Sequence, residues 1–246
     1  MTLTIMKTSV AGMVAVLALG SSQAHAQDAV AWGGAYGSAY VSGAMFNVEA
    51  SDFTDTITND APPISALVPA GGFKLGYNFA PRQGDLVLGL EVDVNAGLQS
   101  SQLIASNPSG SDGFQFENKM TLVSFLGRAG IANGDLLAYA TGGPVLGTGS
   151  YIMRDLNGGT SDCTTIICAQ TTENLFGLAV GGGVEWEFRE DVIARFELMH
   201  YALPTVAAPI LNNDATPACG SATPAECSAY FASSSTQAKI VISYRF

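Results

Sequence analysis

The sequence predicts an all-β protein, a transmembrane β-barrel of eight antiparallel strands in up-and-down order. Three observations carry that reading. Apolar residues recur at every second position through several long segments, which is the period of a strand with one buried face. Short and long connections alternate strictly along the chain. The chain is 48% hydrophobic and only 13% charged, with a mean hydropathy of +0.27. Yet nowhere does it hold the ~20 consecutive apolar residues that a spanning helix needs.

The longest apolar run, Val10 to Gly20, is too short to span. Lys7 precedes it, and Ser21-Ser22-Gln23-Ala24-His25-Ala26 follows. A basic start, a short apolar stretch and an A-x-A site read as a secretory signal peptide over residues 1–26, cleaved after Ala26. Residues 27–246 then form one exported barrel domain. High hydropathy with no spanning helix leaves the outer membrane of a Gram-negative bacterium as its expected location, because only helices and closed barrels span bilayers.

The first strand runs from Trp32 to about Phe46. Both of its faces are rich in Gly, Ala and Tyr, so its orientation stays open. The second places Phe73, Leu75, Tyr77 and Phe79 on one face, with Lys74, Gly76 and Asn78 on the other. Residues 81–85 make a tight turn. In the third strand Leu86, Leu88, Leu90, Val92, Val94, Ala96 and Leu98 alternate with Val87, Gly89, Glu91, Asp93, Asn95 and Gly97. The fourth (Met120 to Ile131) and fifth (Leu136 to Leu146) flank Asn133-Gly134-Asp135, a favoured hairpin signal. Pro144 has no N–H to give a ladder, so a bulge or an end of pairing is expected there. In the sixth, Phe176, Leu178, Val180, Gly182, Val184, Trp186 and Phe188 alternate with Gly177, Ala179, Gly181, Gly183, Glu185 and Glu187, so that Gly181-Gly182-Gly183 lies inside the strand. That triplet has neither the Lys-Ser/Thr nor the helix of a phosphate loop, and close packing is expected of it. The seventh strand runs from the turn at 189–191 to about Tyr201, and the eighth from Gln237 to Phe246. Four long connections remain, at roughly 47–70, 99–118, 149–172 and 203–235. Membrane barrels carry short periplasmic turns and long extracellular loops, whereas a soluble sandwich has no reason to sort them.

Charge follows this pattern. The assigned lipid faces contain no Asp, Glu, Lys or Arg, in keeping with the ~2–4 kcal/mol that a basic residue costs at the bilayer midplane. The opposite faces hold five bases, Lys74, Arg128, Arg195, Lys239 and Arg245, and five acids, Glu91, Asp93, Glu185, Glu187 and Glu197. An eight-stranded barrel is only wide enough for side chains to fill it, so these ten are expected to pair as an interior plug. The rival reading is a small-solute channel. The net charge of −11 falls mostly on the loops, through Glu49, Asp52, Asp55, Asp60, Asp112, Glu117, Asp155, Asp162, Glu173, Asp214 and Glu226. Lys119 and Arg154 are the nearby bases. Without clustered bases the chain has no nucleic-acid interface. The acidic loops read as a solvated surface; divalent-cation bridging to lipopolysaccharide is the sharper alternative, although no loop has a spaced ligand motif.

Cys163 and Cys168 lie in the third long loop, and Cys219 and Cys227 in the fourth. An even count in an exported chain reads as disulfides, with local pairs 163–168 and 219–227 the simplest connectivity and cross-loop pairing the rival. No zinc site, other metal or cofactor is expected. One His follows the signal, His200. A lipid-modifying enzyme would need it beside a serine such as Ser42, Ser228 or Ser233 and an acid, so no enzyme is expected. Tyr36, Tyr40, Tyr77, Phe79, Tyr139, Trp186, Tyr201, Tyr244 and Phe246 are candidates for aromatic girdles at the membrane boundaries.

These residues together resemble a known family, the eight-stranded OmpA-like or opacity-type outer-membrane barrels, in particular the small porin-family barrels of alphaproteobacteria. The resemblance rests on Trp32, on Gly76-Tyr77-Asn78-Phe79, on Gly89-Leu90-Glu91-Val92-Asp93 and on Gly127-Arg128-Ala129-Gly130. Leu137 to Gly143, Gly183-Val184-Glu185-Trp186, Phe196-Glu197 and the terminal Ile242-Ser243-Tyr244-Arg245-Phe246 complete it. It covers the strands and not the loops. It implies that Tyr244 and Phe246 form the signal read by the barrel-assembly machinery. It also implies contact with outer-membrane lipid and lipopolysaccharide, and a structural or cell-surface role with a surface ligand of undefined identity. The peptidoglycan-binding domain of full-length OmpA-type proteins is not expected here.

Overall fold

The computed structural model describes residues 32–52, 64–79, 85–105, 113–155, 168–212, 216–217 and 227–246. The expected signal peptide, the turn at 81–84, the tips of the long connections, Cys163 and Cys219 lie outside them. The described residues form nine strands: β1 (Gly34–Asp52), β2 (Ile64–Phe79), β3 (Leu86–Ala105), β4 (Gly113–Asn133), β5 (Leu136–Asp155), β6 (Cys168–Arg189), β7 (Val192–Ala202), β8 (Val206–Leu211) and β9 (Ser228–Arg245). Each strand pairs antiparallel with its neighbour, and β1 pairs with β9 to close the ring.

The ring has eight staves, because β7 and β8 are successive parts of one. Both lie against β9: Ala202 pairs with Ser234, and Val206 with Phe231. The register slips by one residue across 203–205, where Pro204 lies. An extra residue bends a strand, and a bulge is one of the few places a sheet tolerates proline. The expected long connection from residue 203 is thus partly strand.

The same correction holds at every long connection. β1 runs on to Asp52, β3 to Ala105 and β5 to Asp155, while β2, β4, β6 and β9 begin at Ile64, Gly113, Cys168 and Ser228. Much of what reads as loop is therefore wall. These stretches are polar on the outward face, so they lack the lipid-facing alternation that marks a membrane strand. The 20 residues of β3 are about 68 Å long at ~3.4 Å each. Tilted by ~40°, they rise about 50 Å, twice the ~25 Å apolar band of such barrels.

The outer surface records where the membrane ends. Toward the short turns it is apolar, with Phe73, Leu75, Leu90, Phe176, Val180 and Ile240 exposed. Further along the same faces it turns polar at Lys119, Thr121, Thr148, Thr172, Asn174 and Thr236. Tyr36, Tyr40, Ala44 and Phe46 are buried while Val41 and Met45 are exposed, which fixes the inward face of β1.

Local features set the register. The β4–β5 hairpin turns on Gly134, at φ +59°, where tight hairpins favour glycine. In β3 a bulge between Asn95 and Leu98 against β4 sends two successive residues, Ala96 and Gly97, outward. Leu98 is thereby turned into the interior, at 1% exposure, instead of the lipid face that unbroken alternation assigns it. Pro144 neither bulges nor ends its strand. β5 pairs with β6 continuously through Pro144↔Leu178. On the β4 side only the pairs between Ser124↔Val145 and Gly127↔Gly142 drop out, without a register shift.

Candidate functional site

The interior is filled in layers. At the end of the short turns Trp32, Val87, Leu137 and Ile193 pack together, and the Trp32 indole Nε1–H donates to the Gly134 carbonyl at 3.1 Å. This stopper closes the short-turn end of the barrel.

Above it lies the charged layer. Lys74 Nζ sits 2.7 Å from both Glu91 Oε1 and Glu197 Oε1. Arg195 reaches Glu91 through Nη1 at 2.6 Å and Glu185 through Nε at 2.7 Å, the second contact lacking the alignment of a hydrogen bond. Arg128 Nη2 donates to Glu185 Oε1 at 2.7 Å, and Lys239 donates to Asp93. All eight side chains are essentially inaccessible to solvent. Four bases and four acids thus neutralise one another in a shared network. A buried ion pair survives only when partners and hydrogen bonds compensate for lost hydration, and here each carboxylate meets at least one cation. Glu187 and Arg245 stand apart from it. They pair with each other at 2.7 Å, and Arg245 with Asp191 at 3.3 Å, at the partly exposed rim of the short-turn end.

Four tyrosines complete the network, and sequence reasoning placed them elsewhere, as candidates for the membrane girdle. Tyr36 and Tyr40 donate to Glu91 Oε2 and Asp93 Oδ1, each at 2.8 Å. Tyr139 donates to Glu197 Oε2 at 2.6 Å, and Tyr201 accepts from Lys239 Nζ at 2.8 Å. The Arg128 guanidinium lies 4.0 Å from the Tyr139 ring centroid, and Lys239 Nζ 4.4 Å from that of Tyr40. Such contacts add to the attraction when desolvated. Glycine makes room for these rings. Tyr36 pairs with Gly76 and Tyr40 with Gly72, and a Cβ on either glycine would collide with the phenol. That tyrosine–glycine pairing was the available signal, but reading it requires the β1–β2 register. Tyr77, Phe79, Trp186, Tyr244 and Phe246 are exposed on the outer wall near the short turns. Tyr77–Phe79, Trp186–Phe188 and Tyr244–Phe246 make ring contacts there.

Next comes a narrow polar layer, in which Asn95 Nδ2 donates to Gln237 Oε1 at 2.6 Å. The long-loop half of the barrel is then filled by an apolar core that the sequence did not announce. Phe46, Phe116, Met120, Leu122, Tyr151 and Phe231 are among its members, and Tyr151 stacks on Phe231 with centroids 5.5 Å apart. The charged layer is therefore bounded by apolar packing on both sides.

His200 faces outward and its Nδ1 lies 3.0 Å from Thr236 Oγ1. Ser228 and Ser233 are buried, and Ser42 shares the inward face of Tyr40 and Ala44. The wall thus separates His200 from Ser42 and Ser233, while Ser228 sits at the far end of β9, against Pro209. Among the described residues no group of three or more His, Cys, Asp or Glu side chains is arranged for a metal ion. Of the expected loop acids, Glu117 lies on β4 and pairs with Arg154 across the ladder to β5 at 3.0 Å, and Glu173 lies on β6. Glu49, Asp52 and Asp155 fall within β1 and β5. Asp55, Asp60, Asp112, Asp162, Asp214 and Glu226 lie outside the described residues. Cys168 and Cys227 are buried, and neither is a free thiol.

Residues 14–217 match the family described as outer membrane protein beta-barrel domain. The chain belongs to that family. It is an outer-membrane β-barrel of a Gram-negative bacterium. Several solved barrels are similar to it at low identity. Ail of Yersinia pestis, the attachment invasion locus protein, in complex with the heparin analogue sucrose octasulfate, is 11% identical, with 87% of this chain and 99% of that one covered and a TM-score of 0.41. Neisserial surface protein A is 14% identical over 86% and 97%, with a TM-score of 0.38. The N-terminal β-barrel domain of Pseudomonas aeruginosa OprF is 13% identical over 82% and 96%, with a TM-score of 0.28. No curated protein sequence matches the chain.

Proposed function

We propose that this barrel is a closed anchor that displays a polar, acidic surface above the outer membrane and acts through that surface, without conducting solutes or catalysing a reaction. The observation that carries the reading is the filled interior: a Trp32 stopper, a neutral ion-pair layer and an apolar core in series. Narrow barrels are filled by their side chains, and opening this one for ions would mean breaking buried pairs. The extended wall with its polar outer face supports the second half of the reading, since it lifts the connections well clear of the lipid. Lipopolysaccharide and outer-leaflet lipid are the proposed surroundings, and Tyr244 and Phe246 the proposed signal to the assembly machinery. In the connections, disulfides among Cys163, Cys168, Cys219 and Cys227 would stiffen the displayed surface, and a signal peptide ending at Ala26 would direct export.

Planar-bilayer recording of the purified full chain tests the closed interior. No reproducible conductance steps are expected, and regular steps would overturn the reading. A membrane-impermeant amine reagent applied to intact cells tests the display. Lys74 and Lys239 are buried, so labelling is expected at Lys119 on the outer wall; an unlabelled Lys119 would count against a raised surface.

A further inference from the structure

Three adjacent strands carry a registered set of rows on the outer wall. The row Val123, Leu146 and Phe176 crosses β4, β5 and β6 through the pairs Val123↔Leu146 and Leu146↔Phe176. It is apolar, with Leu146 and Phe176 exposed. The next row toward the long connections is Thr121, Thr148 and Asn174, and the one after it Lys119, Ser150 and Thr172. Six polar side chains therefore share one outward face directly beyond the apolar belt. With strands ~4.8 Å apart and ~6.8 Å between rows, the two rows form a platform of about 10 Å by 7 Å, the scale of a sugar ring.

The platform has one uncompensated charge and hydrogen-bonding capacity to spare. Lys119 is exposed. Glu117, the neighbouring acid on the same face, is already engaged: its Oε2 meets Arg154 Nη1 at 3.0 Å, and its Oε1 accepts from Gln115 Nε2 at 3.3 Å. No carboxylate pairs with Lys119 among the described residues, and the Thr121 and Thr148 hydroxyls and the Asn174 amide have no side-chain partner there. Thr172 donates to Ser150 at 3.3 Å, so Ser150 keeps its own proton to give and Thr172 an oxygen to accept. On β1 and β2 the wall is different. Met45 and Leu67 face each other across that ladder and are 53% and 77% exposed, and neither strand has an outward Lys or Arg among the described residues. Ordinary lipid makes the same demand on every side of a barrel, whereas the platform occupies one sector.

We propose that this sector of the wall binds the phosphorylated amino-sugar headgroup of lipid A, the glycolipid of lipopolysaccharide. The inference rests on the reading above, in which the long-connection half stands on the outer-leaflet side. The Lys119 ammonium donates to a phosphate in a charge-assisted hydrogen bond. The Thr121, Thr148 and Ser150 hydroxyls and the Asn174 amide pair with the hydroxyl and amide groups of the sugar, and the acyl chains lie along Val123, Leu146 and Phe176. A glycerophospholipid brings the phosphate without the sugar. It satisfies Lys119 and leaves the platform unpaired, so the site discriminates between two anionic lipids.

Native mass spectrometry of the full chain in detergent, supplied with equal amounts of diphosphoryl lipid A and phosphatidylglycerol, tests this. The wild type is expected to retain lipid A over phosphatidylglycerol by about tenfold, equivalent to about 1.4 kcal/mol. Lys119→Gln is expected to cut lipid A retention by about fivefold, equivalent to about 1 kcal/mol, and Lys119→Arg to preserve it. Thr121→Val combined with Thr148→Val brings lipid A down toward phosphatidylglycerol, while Met45→Gln on β1 changes nothing. All four sites are on the outer wall, and heat-modifiable gel migration verifies that the variants fold. Equal retention of the two lipids by the wild type would overturn the proposal. So would lipid A retention that survives Lys119→Gln, or one that Met45→Gln reduces as much. A phosphate on Lys119 exchanges, so the amine still labels on intact cells. Neither conductance nor cell-surface exposure is read in detergent, so failure here leaves the closed-anchor reading to its own tests.

Discussion

The two halves of this barrel are built inside out relative to each other. Toward the short turns, the outside is apolar and the inside carries eight buried charges with four tyrosines. Toward the long connections, the outside is polar and the inside is a core of Phe, Met, Leu and Tyr. The backbone is the same continuous set of strands in both. What changes is the solvent outside. Lipid excludes charge from the outer face, which leaves the narrow interior as the only place for a polar inventory, and that inventory must neutralise itself. Where the wall rises into water the constraint is lifted, and the barrel reverts to the arrangement of a soluble β-protein. Eight alternating staves serve both because the period of a strand delivers two faces of opposite character whichever way they point.

The largest test of this contrast is in the charged layer. Glu197→Ala leaves Lys74 without one of its two close partners and removes the acceptor of Tyr139. A loss of about 3–5 kcal/mol is expected, read by urea unfolding in lipid vesicles. Phe231→Ala in the upper core is expected to cost about 3 kcal/mol by the same measurement, but with the membrane-embedded charged layer intact. If that variant released the charged layer as well, as judged by new conductance, the two halves would not be separate. A third comparison moves one charge along the outer wall. Leu90→Lys within the apolar belt should cost ~2–4 kcal/mol, whereas Thr172→Lys above it should stay within ~0.5 kcal/mol; equal costs would mean that the boundary is misplaced. Gly76→Ala crowds the Tyr36 ring, and a penalty of about 1–3 kcal/mol is expected. The smallest effect is at the surface. Removing the Glu117–Arg154 pair should change stability by ~0.2–1 kcal/mol and lose even that in high salt.

The membrane-embedded half was largely legible in the sequence. Lys74, Glu91, Asp93, Arg128, Glu185, Arg195, Glu197 and Lys239 announce themselves because each interrupts an apolar alternation at an inward position. The upper half was not, since its polar outward residues read as loop composition and hide the strand beneath. Leu98 shows how a single bulge resets the face of everything beyond it. Tyr36 and Tyr40 show the limit of composition, because a tyrosine suits a membrane girdle and a buried network equally well. Only the register that sets each one against a glycine decides between them.

By itself, then, the sequence determined the number of staves, the alternation within the lipid and the identity of the charges that must be inside. Those follow from local rules, the two-residue period and the cost of charge in hydrocarbon, which act on each strand separately. The tertiary structure alone decided which acid meets which base, where the wall rises above the membrane, and that one stave is broken at Leu203–Thr205. These depend on closure of the ring, which brings together residues more than a hundred positions apart, as in the Lys74–Glu197 pair. No local pattern carries information across that distance.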